Sequence, residues 1–180
     1  MKLNTVLSGA IIALGIAAVS TAQADITLRH ALTGEVLDLS FAKKGGNTEQ
    51  FKQFLQTGKN PYNGNTEAAK KGESLYMTGC SGCHGHEAEG KLGPGLADDY
   101  WTYPRGLTDP GLFEILFGGA QGMMGPQYVN FSNDDMLHIM AFLRSIYKGD
   151  PKKSGMVEIT PLTPGPLPEG DGWIKAPSPK

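Results

Sequence analysis

Apolar residues recur every three or four positions in three segments in the middle of the chain. This period places the apolar side chains of each segment on one face of a helix. It predicts helices over 67–79, 109–118 and 132–148, separated by long loops that contain glycine and proline. Because such loops are unusual in a compact domain, the pattern predicts an all-α core in which a non-protein group fills space between the helices.

Residues at the predicted boundaries support two of these helices. Asp109 is placed to cap the second helix, and Pro110 follows at its first position, where a missing N–H group is tolerated. Ser132 and Asp135 have the spacing of a capping box at the start of the third helix. These three helices define a predicted core domain over 66–149.

The segment before the core, residues 25–65, has a mixed pattern. Alternating apolar and polar residues over 26–41 predict a short hairpin that turns at 33–34. Apolar residues at helical spacing then predict a helix over 48–57, which Gly58 ends. We interpret this segment as an N-terminal extension of the core.

The first 24 residues have the features of a secretory signal peptide. A basic residue, Lys2, precedes an apolar run over 6–19, and the Ala-Gln-Ala sequence at 22–24 resembles a cleavage site. The apolar run is shorter than the roughly 20 residues that a transmembrane helix needs. The sequence therefore predicts a periplasmic protein that begins at Asp25 and has no membrane span in its mature form.

The composition predicts the character of the C-terminal residues and the class of partner. A Pro-rich C-terminal extension is predicted over 150–180, because few of its residues are suited to a packed core. The whole chain has 16 basic and 18 acidic residues, a net charge of −2. It has no basic stripe of the kind that binds nucleic acid, so no nucleic-acid partner is predicted. A mildly acidic surface favours a protein partner with a basic docking patch.

The two cysteines of the chain, Cys80 and Cys83, are followed directly by His84. The run Cys-Ser-Gly-Cys-His matches the C-x-x-C-H pattern of c-type haem attachment. In that chemistry the two thiols form thioethers with one porphyrin, and the histidine binds the iron. We therefore predict one covalent haem c held by Cys80 and Cys83, with His84 as an axial iron ligand.

Two other interpretations use the same residues. A structural zinc site needs four ligands, and the remaining histidines do not lie at zinc-finger spacing. A C-x-x-C thiol redox pair belongs near a βαβ pattern, whereas the pattern around Cys80 is helical. Haem attachment is therefore favoured over both.

A methionine in a glycine-rich loop is the best candidate for the second axial ligand. Met123 and Met124 lie in the run Gly-Gly-Ala-Gln-Gly-Met-Met-Gly-Pro, where glycine allows the backbone to approach a flat ligand closely. Met136 and Met140 instead fall on the apolar stripe of the third helix and are predicted core residues. His138 lies off that stripe and is predicted to be a surface or rim histidine. The alternative is an open sixth position, as in a haem enzyme or gas sensor.

These motifs together resemble those of class I cytochromes c. The likeness is carried by the helix that ends at C-x-x-C-H, the Gly-Pro-Gly-Leu run at 93–96, the run with the two methionines, and the last helix. The resemblance implies a core of three main helices around one haem. It also implies that the Pro94 carbonyl accepts the second ring N–H of His84, and its usual Gly-x-Met spacing favours Met124 over Met123 as the ligand.

Within that class, residues 66–148 are similar to cytochrome c-L, the electron acceptor of quinoprotein methanol dehydrogenases. The runs Cys-Ser-Gly-Cys-His-Gly-His and Asp-Tyr-Trp-Thr-Tyr-Pro carry this likeness together with the two-methionine run. The resemblance implies an electron carrier rather than an enzyme. It would accept single electrons from PQQ-dependent methanol dehydrogenase and pass them to a downstream soluble cytochrome c. The alternative is a general class I cytochrome c that serves another periplasmic dehydrogenase or oxidase.

The aromatic loop at 100–105 offers further groups for the haem surroundings. Trp101, Tyr103 and Arg105 all carry hydrogen-bond donors, which suits contacts to the haem propionates. The alternative is that the aromatic rings cover the haem edge while Arg105 is solvated.

Overall fold

The computed structural model describes residues 25–150. The predicted signal peptide and the predicted C-terminal extension beyond residue 150 lie outside the described residues. No β-strand forms within residues 25–150, which confirms the all-α prediction. None of the helices in this range has the length and apolar character needed to span a bilayer. The helices are α1 (Glu49–Thr57), α2 (Thr66–Gly79), α3 (Ser81–His84), α4 (Asp109–Gly118) and α5 (Asn133–Ser145).

Most helix boundaries agree with the sequence pattern. Thr48 caps α1, and Gly58 ends it in the left-handed conformation, with φ of 68°. The capping box at the start of α5 forms as predicted: the Ser132 and Asp135 side chains each accept from the other residue's backbone N–H. The end of α5 was predicted at residue 148 but comes three residues earlier. There the chain leaves the helix path, and the Lys148 N–H donates to the Ala97 carbonyl at 2.7 Å.

The prediction that Asp109 caps α4 is wrong. The Thr108 hydroxyl accepts from the Gly111 N–H at 3.1 Å and is the cap. The Asp109 carboxylate is buried and accepts from the Asn60 N–H at 2.8 Å. It also lies 3.3 Å from the Arg144 guanidinium. The Asp109 carboxylate therefore joins α4 to α5, and the Thr108 hydroxyl caps the N-terminus of α4.

The predicted hairpin is reduced to a turn with one bridge. Arg29 and Val36 form a single antiparallel bridge, and the His30 N–H donates to the Glu35 carbonyl at 2.7 Å. The pairing then stops, because Leu39–Phe41 turns into a 3₁₀-helix capped by the Asp38 side chain. Two further 3₁₀-helices are Pro104–Leu107 and Gln127–Val129.

The core is organised by the crossing of α2 and α5. Gly72 of α2 and His138 of α5 meet at the crossing, where a β-carbon placed on Gly72 would overlap the His138 carbonyl oxygen. Tyr76, fully buried one turn later on α2, packs against Phe142 of α5 with ring centroids 5.2 Å apart and the rings tilted by 50°. The absence of a side chain at Gly72 thus sets how closely the two helices approach.

Gly72→Ala is expected to lower the free energy of unfolding by about 1–3 kcal/mol, because the added methyl must push the helices apart. This loss is expected even though alanine favours helix over glycine by about 1 kcal/mol. Denaturant unfolding followed by circular dichroism measures it. Ser74→Ala, at an exposed position of the same helix, is the control. A Gly72→Ala protein as stable as the control would show that the crossing adjusts without cost.

The prediction that His138 lies at the surface is wrong. His138 is 7% exposed and packs on the Tyr62 ring at a centroid distance of 4.0 Å. Its Nδ1 donates to the Asp134 carbonyl at 2.8 Å, and the Tyr62 hydroxyl donates to the Asp134 carboxylate at 2.9 Å. The N-terminal extension covers this face of α5, so that a residue off the main stripe is still buried.

Candidate haem site

The C-x-x-C-H residues lie where α2 ends and α3 begins. The Cys80 N–H donates to the Tyr76 carbonyl at 2.8 Å and closes α2. Cys83 and His84 then occupy the single turn of α3. The buried Tyr76 hydroxyl donates to the Gly85 carbonyl at 2.8 Å and turns the chain back after His84. Local helical geometry thus places two thiols and one imidazole within five residues of chain.

The loop after α3 folds back and fixes the His84 ring. His84 Nδ1 lies 2.8 Å from the Pro94 carbonyl oxygen, so Nδ1 carries the proton and Nε2 is the nitrogen left for a metal. The Gly93 N–H donates to the Cys83 carbonyl at 2.8 Å. A β-carbon on Gly93 would lie 2.7 Å from the His84 ring, so only glycine allows this close approach.

The two thiols are unpaired and differ in surroundings. Cys80 is half-buried and Cys83 is exposed. Burial, together with the neighbouring Cys83, raises the pKa of the Cys80 thiol to about 11. Reactive redox cysteines have a lowered pKa, so the thiol redox interpretation finds no support here. Within residues 25–150 no three His, Cys, Asp or Glu side chains gather as a metal site, so the ligand set that zinc needs does not form there.

The residues from Gly119 to Pro126, which we call the methionine loop, form a closed turn between α4 and the 3₁₀-helix at 127–129. The Ala120 N–H donates to the Met124 carbonyl at 2.9 Å. Gly119 has φ of 84°, and a β-carbon there would lie 2.6 Å from the same carbonyl oxygen. Met124 is half-buried and packs against the core, whereas the Met123 side chain is 85% exposed. The two methionines are neighbours in the sequence, but they differ in burial in the structure.

The aromatic loop is held by protein partners. The Trp101 indole N–H donates to the Asp98 carbonyl at 3.1 Å, and the Tyr103 hydroxyl accepts from the Gln121 N–H of the methionine loop at 2.9 Å. Arg105 is not simply solvated, because its guanidinium forms a two-point ion pair with Glu114 at 2.5 and 2.9 Å.

Sequence reasoning missed Glu114. It is 1% exposed in the middle of α4, and its carboxylate also accepts from the Arg29 N–H at 2.8 Å. The ion pair with Glu114 raises the pKa of Arg105. A lone acidic residue inside the apolar run Leu-Phe-Glu-Ile-Leu-Phe is a signal for such a buried pair.

The donor set fits a covalently attached haem. Two thiols separated by two residues suit two thioether bonds, and an imidazole with Nδ1 already bonded offers one nitrogen to iron. Cys80, Leu96, Trp101 and Met124 all pack, half-buried, against the same hydrophobic core. The Met124 thioether and the Cys80 thiol thus come from separate parts of the chain and pack against one core.

Comparison with known proteins agrees with this chemistry. Residues 67–143, from the start of α2 to near the end of α5, match the family model described as cytochrome c oxidase, cbb3-type, subunit III. The chain is 48% identical over 163 residues to cytochrome c-L of Methylorubrum extorquens, which covers 87% of this chain and 82% of that protein.

Two solved structures are similar along most of their length. The crystal structure of cytochrome cL from the marine methylotrophic bacterium Methylophaga aminisulfidivorans is 60% identical, with a TM-score of 0.69, covering 72% of this chain and 86% of that one. The structure of cytochrome cL from Hyphomicrobium denitrificans is 48% identical, with a TM-score of 0.71, covering 75% of this chain and 82% of that one. These likenesses confirm the class I cytochrome c fold. The chain belongs to the cytochrome c-L family, and it is therefore an electron carrier with covalently attached haem c and not an enzyme.

Proposed function

We propose that Cys80 and Cys83 hold the haem and that His84 and Met124 are the axial ligands of its iron. The observation that carries this assignment is the bond between His84 Nδ1 and the Pro94 carbonyl, which fixes the ring and leaves Nε2 for the metal. The half-buried position of Met124 against the core supports it over the exposed Met123. When bound, haem supplies a one-electron iron couple, whose potential a His/Met ligand pair raises.

The surrounding residues are proposed to act on that site by position. Pro94 holds the His84 ring, and Trp101 packs, half-buried, against the same core as Cys80 and Met124. The Tyr103 hydroxyl accepts from the methionine loop, so its own O–H remains available as a donor. Arg105 holds the buried Glu114, which supports a structural role in place of a propionate contact.

We further propose that this periplasmic protein accepts single electrons from PQQ-dependent methanol dehydrogenase and passes them to a downstream soluble cytochrome c. Support comes from the extent of the similarity to cytochrome c-L, which runs well beyond the haem-bearing helices. One similar structure comes from a methylotrophic bacterium. Exposed apolar side chains in the loop after His84 and beside Met124 (Leu92, Tyr100 and Met123) are available for contact with protein partners.

Purified methanol dehydrogenase is expected to reduce the haem of this protein in the presence of methanol, with a rate that falls as salt rises. Electrostatic steering by complementary charges can raise association rates by about 10-fold or more, and salt screens it. Stopped-flow absorbance at low and physiological ionic strength measures both effects. The control is the same mixture without methanol.

The outcomes separate the proposed partner from the proposed site. A haem that dithionite reduces but methanol dehydrogenase does not would favour a general periplasmic cytochrome c. Reduction at a salt-independent rate would support methanol dehydrogenase as the partner but would show that complementary charges do not guide docking.

A further inference from the structure

The methionine loop has two internal backbone hydrogen bonds, from Ala120 N–H to the Met124 carbonyl and from Gly125 N–H to the Met123 carbonyl. Met123, Gly122 and Gly125 are exposed, and glycine-rich backbone has much conformational freedom to lose on ordering. A ligand carried by such a loop needs contacts that fix the two ends of the loop. The residues that flank the loop, Gly118 before it and Tyr128 after it, are both contacted by the same distant part of the chain, residues 25–46.

The first contact is at the start of the loop. His30 Nε2 lies 3.0 Å from the carbonyl oxygen of Gly118, the last residue of α4. His30 Nδ1 accepts from the Leu32 and Thr33 N–H groups at 3.2 and 3.3 Å. Because Nδ1 is an acceptor, the proton is on Nε2, and the ring donates to Gly118. A β-carbon on Gly118 would lie 2.8 Å from this ring, so the contact is close.

The second contact is just beyond the end of the loop. Phe41 packs on Tyr128 at a ring-centroid distance of 6.0 Å, and the Lys43 N–H donates to the Tyr128 carbonyl at 3.3 Å. Lys43 also bridges Ser132 in parallel register. Tyr128 also packs on Phe117 of α4, with ring centroids 5.2 Å apart. The 3₁₀-helix at 127–129 is therefore clamped between α4 and the N-terminal segment.

The N-terminal segment is itself anchored to the core. Leu28 is buried, the Ile26 N–H donates to the Leu55 carbonyl at 2.7 Å, and the Arg29 N–H donates to Glu114 at 2.8 Å. The segment lies outside residues 67–143, the part that matches the cytochrome family model. It is thus an addition to the common core, and it spans both ends of the methionine loop.

We propose that residues 25–46 are a brace for the methionine loop, and that His30 and Phe41 are positioning residues for the iron ligand that this loop supplies. The inference rests on the proposed ligation by Met124. Fixing the ends of the loop lowers the conformational entropy that the loop loses when the methionine binds iron. The brace therefore stabilises the bond between the methionine and the iron. Loosening either end makes the ligand easier to displace.

The test is the rate at which cyanide displaces the methionine in the oxidised holoprotein. Phe41→Ala and His30→Ala are expected to raise this rate by about 3- to 10-fold, the effect of losing one aromatic or hydrogen-bonded contact. Phe41 is 65% exposed, so its truncation leaves the core filled. Leu32 is 51% exposed in the same segment, so Leu32→Ala is the matched control. The conservative variant Phe41→Tyr keeps the aromatic contact and is expected to have the parent rate.

Each result of this experiment either supports or overturns the brace. Faster displacement in both brace variants, with the control and Phe41→Tyr unchanged, supports the brace, and equal rates in all variants would overturn it. A rate that rises equally in Leu32→Ala would mean general loosening and would also overturn it. The methionine-to-iron charge-transfer band of the parent tests the ligation separately: its loss when both Met123 and Met124 are replaced by alanine keeps the proposed function, whatever the brace variants do.

Discussion

Met124→Ala is expected to remove the methionine-to-iron charge-transfer band of the oxidised protein and to lower its reduction potential. The thioether sulfur favours ferrous iron, so its loss favours the ferric state. The structure places Met124 half-buried against the core that also contacts Cys80. The visible spectrum and a potentiometric titration measure the two effects.

Met123→Ala is the matched control, since the neighbouring side chain is 85% exposed. It is expected to leave both the band and the potential unchanged. The opposite pattern would assign the ligand to Met123. A band that persists in both single variants and in the double variant would place the ligand outside the methionine loop.

The helices and the haem chemistry were predictable because they depend on short-range sequence. The C-x-x-C-H run is five consecutive residues, and α3 places them within one turn. The capping box of α5 is likewise a spacing of three residues. For such features the chain neighbours of a residue determine its geometry, and the sequence displays those neighbours directly.

The errors concern residues whose partners lie far along the chain. Asp109 has good capping chemistry, but Asn60 and Arg144 take its carboxylate. His138 lies off the main apolar stripe of α5, yet Tyr62 covers it. Leu39 and Phe41 alternate as in a strand, but the pairing ends because Asp38 caps a 3₁₀-helix. Local pattern cannot show which distant element will cover a residue.

In the candidate haem site, too, the sequence predicted local features but not the contacts between distant parts of the chain. The sequence offers two adjacent methionines as candidates for the proposed second ligand, and the difference in their burial comes from the fold of the loop around Gly119. Arg105 was considered for the haem propionates or for solvent, and the structure shows a further partner, Glu114. Arg105 lies in the 3₁₀-helix at 104–107 and Glu114 in α4, so the acid inside the apolar run signals a buried pair but does not identify its partner.

Arg144→Met is expected to lower the free energy of unfolding by about 3–5 kcal/mol at pH 7, because it leaves a buried carboxylate without its cation. Arg144 is 5% exposed, with Nε at 3.3 Å from Asp109 and Nη2 donating to the Leu107 carbonyl at 2.9 Å. Burial lowers the pKa of Arg144 and raises the pKa of Asp109, and in each case the partner opposes the shift. Removing the arginine leaves the burial effect on Asp109 without that opposition.

The loss of stability is expected to shrink as pH falls. A carboxyl group whose pKa is raised by folding destabilises the folded state above its unfolded pKa of about 4, and this penalty disappears once it is protonated in both states. Guanidinium unfolding of Arg144→Met and the parent at pH 7 and near pH 4 measures the difference. The double variant Asp109→Asn/Arg144→Met is expected to recover much of the loss at pH 7, because neither residue of this pair then carries a buried charge. A deficit that is equal at both pH values, and equal in the double variant, would show that Arg144 stabilises the fold through packing and its carbonyl contacts, and that its charge contributes nothing.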